Sequence, residues 1–87
     1  MLTLKECMDM SGLEVEEIEA IAEYERIPEM AATELGNFLL TTSQGRRQIK
    51  RMISARLDRA YRSGQLHHAA ELHRVLSKYE GMHPDCK

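Results

Sequence analysis

At 87 residues, with 43% hydrophobic and 30% charged side chains, the chain holds enough apolar material for one packed core and is too short for two independent domains. No apolar run approaches the roughly 20 residues of a membrane span, and segment 1–10, with Glu6 and Asp9, lacks the basic-then-apolar order of a secretory leader. The expectation is a single helical domain over 1–87, cytoplasmic and without a membrane partner. The net charge of −2 conceals a division: residues 1–44 hold ten acids and two bases (−8), and residues 45–87 hold ten bases and four acids (+6).

Thr3-Leu4-Lys5-Glu6 has the form of a capping box, so a short first helix is expected from there to Gly12. Leu13 to Arg26 reads as a second helix, with Val15, Ile18, Ile21 and Ala22 on one side and Glu16, Glu19 and Glu23 on the other. Pro28 suits a first helical turn and holds Ile27 out of helical geometry, which sets the boundary at 26–28. A third helix is expected over 28–40, with Ala31, Leu35, Phe38 and Leu39 as its apolar stripe. Gly36 within it is read as a point of close helix contact, since an interior glycine otherwise costs about 1 kcal/mol.

Thr41-Thr42-Ser43-Gln44-Gly45 reads as cap and joint, followed by a long helix over 46–63 whose apolar face is Ile49, Ile53, Leu57, Ala60 and Tyr61. Gly64 should close it. A last helix over 65–79 carries Leu66, Ala69, Ala70, His73 and Leu76 in phase, before an irregular tail over 81–87. The short Ser63-Gly64-Gln65 link makes the last two helices an antiparallel hairpin. The fold class is therefore all-α, a compact bundle of about five helices; no alternating run or hairpin dipeptide signals a strand. The expected core is Val15, Ile18, Leu35, Phe38, Leu39, Ile53, Leu57 and Leu76, with Phe38→Ala costing about 3–5 kcal/mol.

Functional signals are sparse. Residues 4–26 have the outline of a helix-turn-helix, but its second helix carries Glu14, Glu16, Glu17, Glu19, Glu23 and Glu25, which would repel phosphates. The long helix carries Arg46, Arg47, Lys50, Arg51, Arg56, Arg59 and Arg62, a density that can neutralise phosphates but has no interleaved aromatic platform apart from Tyr61. Its structural alternative is a solvated or partner-facing surface. Glu16, Glu19 and Glu23 stack like charges on neighbouring turns and call for cations, which the basic helix of the same or another copy can supply. His67, His68, His73 and His83, with Glu71 and Cys86, are metal-ligand types, yet none stands at a diagnostic spacing, so no metal and no cofactor is expected; His73 is read as partly buried. Cys7 and Cys86, without Cys-x-x-Cys spacing, fit reduced thiols better than a disulfide framework. No nucleophile elbow, phosphate loop or dinucleotide fingerprint is present, so no enzyme is expected.

Through Glu17-Ile18-Glu19-Ala20-Ile21-Ala22-Glu23 and Ile27-Pro28-Glu29-Met30-Ala31-Ala32-Thr33-Glu34-Leu35-Gly36, the chain resembles a family of short uncharacterised bacterial, proteobacterial-type α-helical proteins of unknown function. The resemblance spans nearly the full length and implies a cytoplasmic protein, with no functional residue to carry over. The leading expectation is a non-enzymatic protein–protein interaction module, self-associating through complementary faces that include Glu16, Glu19, Glu23, Arg47, Arg51, Arg59 and Arg62. The alternatives are a nucleic-acid-binding protein using helix 46–62 and, third, a metal-binding helical bundle.

Overall fold

The computed structural model describes residues 13–84, and all its regular elements are helical. Four helices are described: α1 (Val15–Glu25), α2 (Glu29–Leu39), α3 (Ser43–Arg62) and α4 (Leu66–Met82). The helix expected to start at Thr3 lies outside the described residues, as do both cysteines. The Cα radius of gyration, 12.5 Å, is close to the ~12 Å of a compact domain of this length. α3 is the central element, packing against α1, α2 and α4.

α1 ends where Arg26 turns into the left-handed region (φ 58°) and Ile27 donates its N–H back to the Ala22 carbonyl at 3.0 Å. This is a Schellman closure, with an arginine where glycine is usual. Pro28 then stands at the N-cap of α2 in extended conformation, one residue outside the helix, and its carbonyl accepts the first helical bond from Ala32.

α2 corrects the expected stripe. The buried residues are Ala32, Thr33, Gly36 and Leu39, whereas Phe38 is 70% exposed and Leu35 is half-buried. Small side chains decide this orientation: a Cβ on Gly36 would lie 3.1 Å from Ile21 Cδ1 and would collide with the tip of Leu13, so α1 approaches here and the bulky residues rotate away. The buried Thr33 hydroxyl is satisfied by the Glu29 carbonyl at 2.9 Å. Close contact at Gly36 agrees with the sequence reading, whereas Phe38 as a core anchor does not. Val15, in the first turn of α1, is likewise half-exposed at 47% rather than in the core.

α3 begins at Ser43, three residues earlier than expected. Thr42 caps it, its Oγ1 accepting from the Gly45 N–H at 2.9 Å. Gly45 is therefore not part of a joint but lies in the first helical turn, pressed against the Leu39 backbone; a Cβ there would stand 2.7 Å from the Leu39 carbonyl carbon. Ile49, Met52, Ile53 and Ala60 form the buried stripe, Leu57 is half-buried, and Tyr61 is 52% exposed rather than on the apolar face. At the far end, Gly64 takes φ 76° and Gln65 donates to the Ala60 carbonyl at 2.9 Å, turning the chain into the α3–α4 hairpin.

α4 is rotated relative to the expected stripe. Its buried residues are Ala69, Leu72, Val75 and Tyr79, while Leu66, Ala70 and His73 are exposed and Leu76 is half-buried. Two stripes compete on this helix, and the one with Leu72, Val75 and Tyr79 buries more apolar area than the one with alanines and a histidine. Tyr79 is fully buried and donates its hydroxyl to the Arg46 carbonyl at 2.7 Å, tying α4 to the first turn of α3. The helix also runs through Gly81 to Met82, so regular structure extends past the expected end at Tyr79.

Two substitutions test this packing. Gly45→Ala should destabilise by about 3 kcal/mol or more, because it drives a methyl into fixed backbone, whereas Phe38→Ala should cost under ~1 kcal/mol in the monomer because little of the ring is buried. Urea unfolding of both variants measures the contrast, and the reverse order would show that the α2 and α3 faces are misplaced.

Candidate interaction surface

The acidic row of α1 does not face solvent alone. Arg56, from the middle of α3, reaches Glu19 Oε2 at 3.1 Å and Glu23 Oε2 at 3.6 Å, and Arg59 Nη1 lies 2.6 Å from Glu23 Oε1. The opposite charges of the two halves thus meet within one chain, along the seam where α1 packs on α3. Arg56 was not among the expected surface residues. The signal for it was its phase: it falls three residues after Ile53 and seven after Ile49, on the edge of the apolar stripe, where a long stem is buried and the guanidinium emerges at the seam.

Glu16 is the least satisfied of the row. Burial, and repulsion from Glu19 and Glu71, raise its carboxyl above the ordinary range, against the pull of Arg56 and His68. Its Oε2 and Arg56 Nη1 are both buried and lack hydrogen-bond partners among the described residues. On the other side of α1, Glu17 is buried at 6% exposure. Its carboxyl is pushed up to about 7, first by that burial and then by Glu14, against a backbone hydrogen bond from Glu14 and the charge of Lys78. Because the backbone partner is the N-cap residue, Glu17 supplies the back-reaching half of a capping box for α1.

The remaining cations of α3 divide by partner. Arg46 Nη1 donates to the Leu40 carbonyl at 2.7 Å, Lys50 pairs with Glu80 of α4 at 3.3 Å, and Arg62 pairs with Asp58 at 3.0 Å on its own helix. Arg47 and Arg51, both exposed, have no ion-pair partner among the described residues. The seven expected surface residues therefore do not form one face. Glu19, Glu23 and Arg59 line the α1–α3 seam, Glu16 lies half-buried beside it, Arg62 is exposed but paired within α3, and of the four arginines only Arg47 and Arg51 lack an ion-pair partner among the described residues.

Arg51 separates two shallow depressions. One, of about 300 Å³, is lined by Arg47, Lys50, Arg51 and Ser54. The other, of about 110 Å³, is lined by Tyr24, Glu25, Gln48, Arg51 and Met52. Apolar side chains are exposed elsewhere as well, notably Met30 (42%) and Phe38 (70%) on α2. Among the histidines, His67 and His73 are exposed, so His73 is not the partly buried residue the sequence suggested, and His83 packs its ring on Tyr79 with centroids 4.5 Å apart. No three His, Asp or Glu side chains converge into a metal-holding group among the described residues. No described helix is long and apolar enough to cross a membrane.

These features define a small all-α protein in which, among the described residues, an acid–base seam is paired within the chain and Arg47 and Arg51 stand together without an ion-pair partner. No family model, no curated protein and no solved structure matches the chain.

Glu17 gives a pH test. Its folded-state pKa of about 7 lies above its ordinary value of 4.5, so its favourable contribution is fully present below about pH 4.5 and is lost as pH rises through 7, a change on the order of 3 kcal/mol. Glu17→Gln should flatten this part of the stability–pH curve and raise the melting temperature at pH 8 relative to wild type. An unaltered curve would show that Glu17 is hydrated. Arg56→Met should destabilise at pH 7 by about 1–3 kcal/mol by leaving Glu19 without its cation and Glu23 with Arg59 alone, whereas Arg59→Met, at an exposed site, should cost under ~1 kcal/mol.

Proposed function

We propose that the chain is a non-enzymatic protein–protein interaction module that self-associates. The observation that carries this reading is the engagement of five of the seven α3 cations, Arg46, Lys50, Arg56, Arg59 and Arg62, by groups of the same chain. A nucleic-acid reader needs those charges free. With Arg47 and Arg51 alone facing phosphates, the counterion-release slope is about −2, so duplex affinity falls only roughly tenfold between 50 and 200 mM salt; seven free cations would give a fall of several thousandfold. Two charges and a scatter of exposed apolar side chains suit a protein surface better than a polyanion.

The second reading, nucleic-acid binding through α3, rests on the same Arg47 and Arg51, which stand one helical turn apart on the outward face. Fluorescence anisotropy with a labelled duplex across that salt range separates the two. The interaction-module reading expects weak binding with the shallow slope, further reduced by the double variant Arg47→Glu, Arg51→Glu. A steep slope, with tight binding at low salt, would overturn it in favour of the nucleic-acid reading.

A further inference from the structure

The pairing of Glu19 and Glu23 inside the chain removes the acidic face that a neighbouring copy was expected to offer Arg47 and Arg51. Another acidic row is available. Glu34 is exposed at the middle of the outer face of α2, has no ion-pair partner among the described residues, and stands four residues after Met30 and four before Phe38. Residues spaced i, i+4, i+8 lie along one helical face, and this row of apolar, anionic and apolar side chains runs for about 12 Å. Both of its apolar ends are open to solvent, Met30 at 42% and Phe38 at 70%.

The surface around Arg51 has the opposite pattern. Arg47 and Arg51 are two unpaired guanidiniums one turn apart, and beside Arg51 the half-exposed Tyr24 ring (53%) flanks a hollow floored by Met52 (4%). Glu25, at the Tyr24 end, repels a carboxylate there. An incoming acid is therefore directed to the Arg47 end, across the depression shared with Lys50 and Ser54, leaving the Tyr24 end for an apolar side chain. Guanidinium pairs bind a carboxylate through parallel N–H donors, and an aromatic ring with an apolar floor gains from burying a second aromatic.

We infer that the partner is a second copy of this chain, with the Met30, Glu34 and Phe38 row of α2 seated against Arg47, Arg51 and Tyr24 of its neighbour. This rests on the interaction-module reading and gives it an occupant and a register. Row and trough belong to different helices, so the contact is heterologous: the patch offered by one copy differs from the patch it meets. Charge complementarity selects the register, while burial of Phe38 supplies the apolar area.

Light scattering on the full chain at low and high salt, with wild type, Glu34→Arg, Arg51→Glu, an equimolar mixture of these two variants, and Phe38→Ser, tests the inference. Wild type should self-associate, more weakly at high salt. Each charge reversal should weaken association by at least about tenfold, as expected for a close interfacial charge pair, and the mixture should regain wild-type association because each variant then meets an opposite charge. Phe38→Ser should weaken association without a change of charge; all three sites are exposed, and circular dichroism checks that the variants remain helical. If wild type associates but neither charge reversal weakens it, or the mixture does not recover, this interface is wrong while the interaction-module reading stands. A wild type that stays monomeric at every concentration overturns the inference together with the self-association on which it rests. A monomer that binds duplex DNA with a steep salt slope overturns both.

Discussion

Arg56 is the point on which the arrangement of charge in this protein turns. Two carboxylates on the α3-facing side of α1 share its guanidinium, whose stem is buried along the α3 stripe and whose head meets Glu19 and Glu23 at the seam, with Glu16 close enough to feel its charge. Without that cation, Glu16 and Glu19 would stand as uncompensated like charges on a helix packed against the core, and Arg59 alone would answer Glu23. With it, α1 can lie directly on α3, bringing Ile18 and Ile21 into the same cluster as Ile49, Met52 and Ile53. Polar pairing and apolar burial are thus satisfied by one placement of the helices, the agreement between levels that gives a chain a single native arrangement.

Close backbone approach sets the rest of the packing. Gly36 lets Leu13 and Ile21 of the α1 side reach α2, and Gly45 lets the first turn of α3 press on the last turn of α2. With α1, α2 and α3 drawn together at these two points, the outward direction of each helix is determined. The outer faces carry what is left: Met30, Glu34 and Phe38 on α2, and Arg47 and Arg51 on α3. A surface that holds an unpaired acid between apolar side chains, and an unpaired basic pair beside an aromatic ring, contains both halves of a contact. That composition motivates a second copy as partner.

Some of this is legible in the amino-acid sequence alone. Helical class, the boundary at residues 26–28, the hairpin at Ser63-Gly64-Gln65 and an attraction between acidic and basic helices of the same or another copy follow from periodicity, glycine and proline positions and the uneven charge, because each depends on interactions within a few residues or on net field. The close contact at Gly36 was readable for the same reason: an unneeded interior glycine implies something packed against it. Which side of each helix turns inward was less legible. On α2 and α4, apolar residues occupy more than half the circumference, so two stripes fit the sequence. The choice between Phe38 and Ala32, or between His73 and Leu72, is made by the shape of the neighbouring helix.

Helical elements, their turns and an acid–base attraction within or between copies are therefore written in the sequence, since these are properties of short segments and of charge counts; that the attraction closes as a seam inside one chain is a tertiary fact. Which arginines the seam consumes depends on how the helices pack. Arg47, Arg51, Arg56 and Arg59 are equivalent in composition and lie on one helix, but their fates differ by the angle each makes with α1. Arg56 and Arg59 reach Glu19 and Glu23, whereas Arg47 and Arg51 pair with no described carboxylate. Coulomb attraction between such groups falls with distance and is screened by salt water within about 10 Å, so position around one helix separates a cation paired within the chain from one left free to meet another.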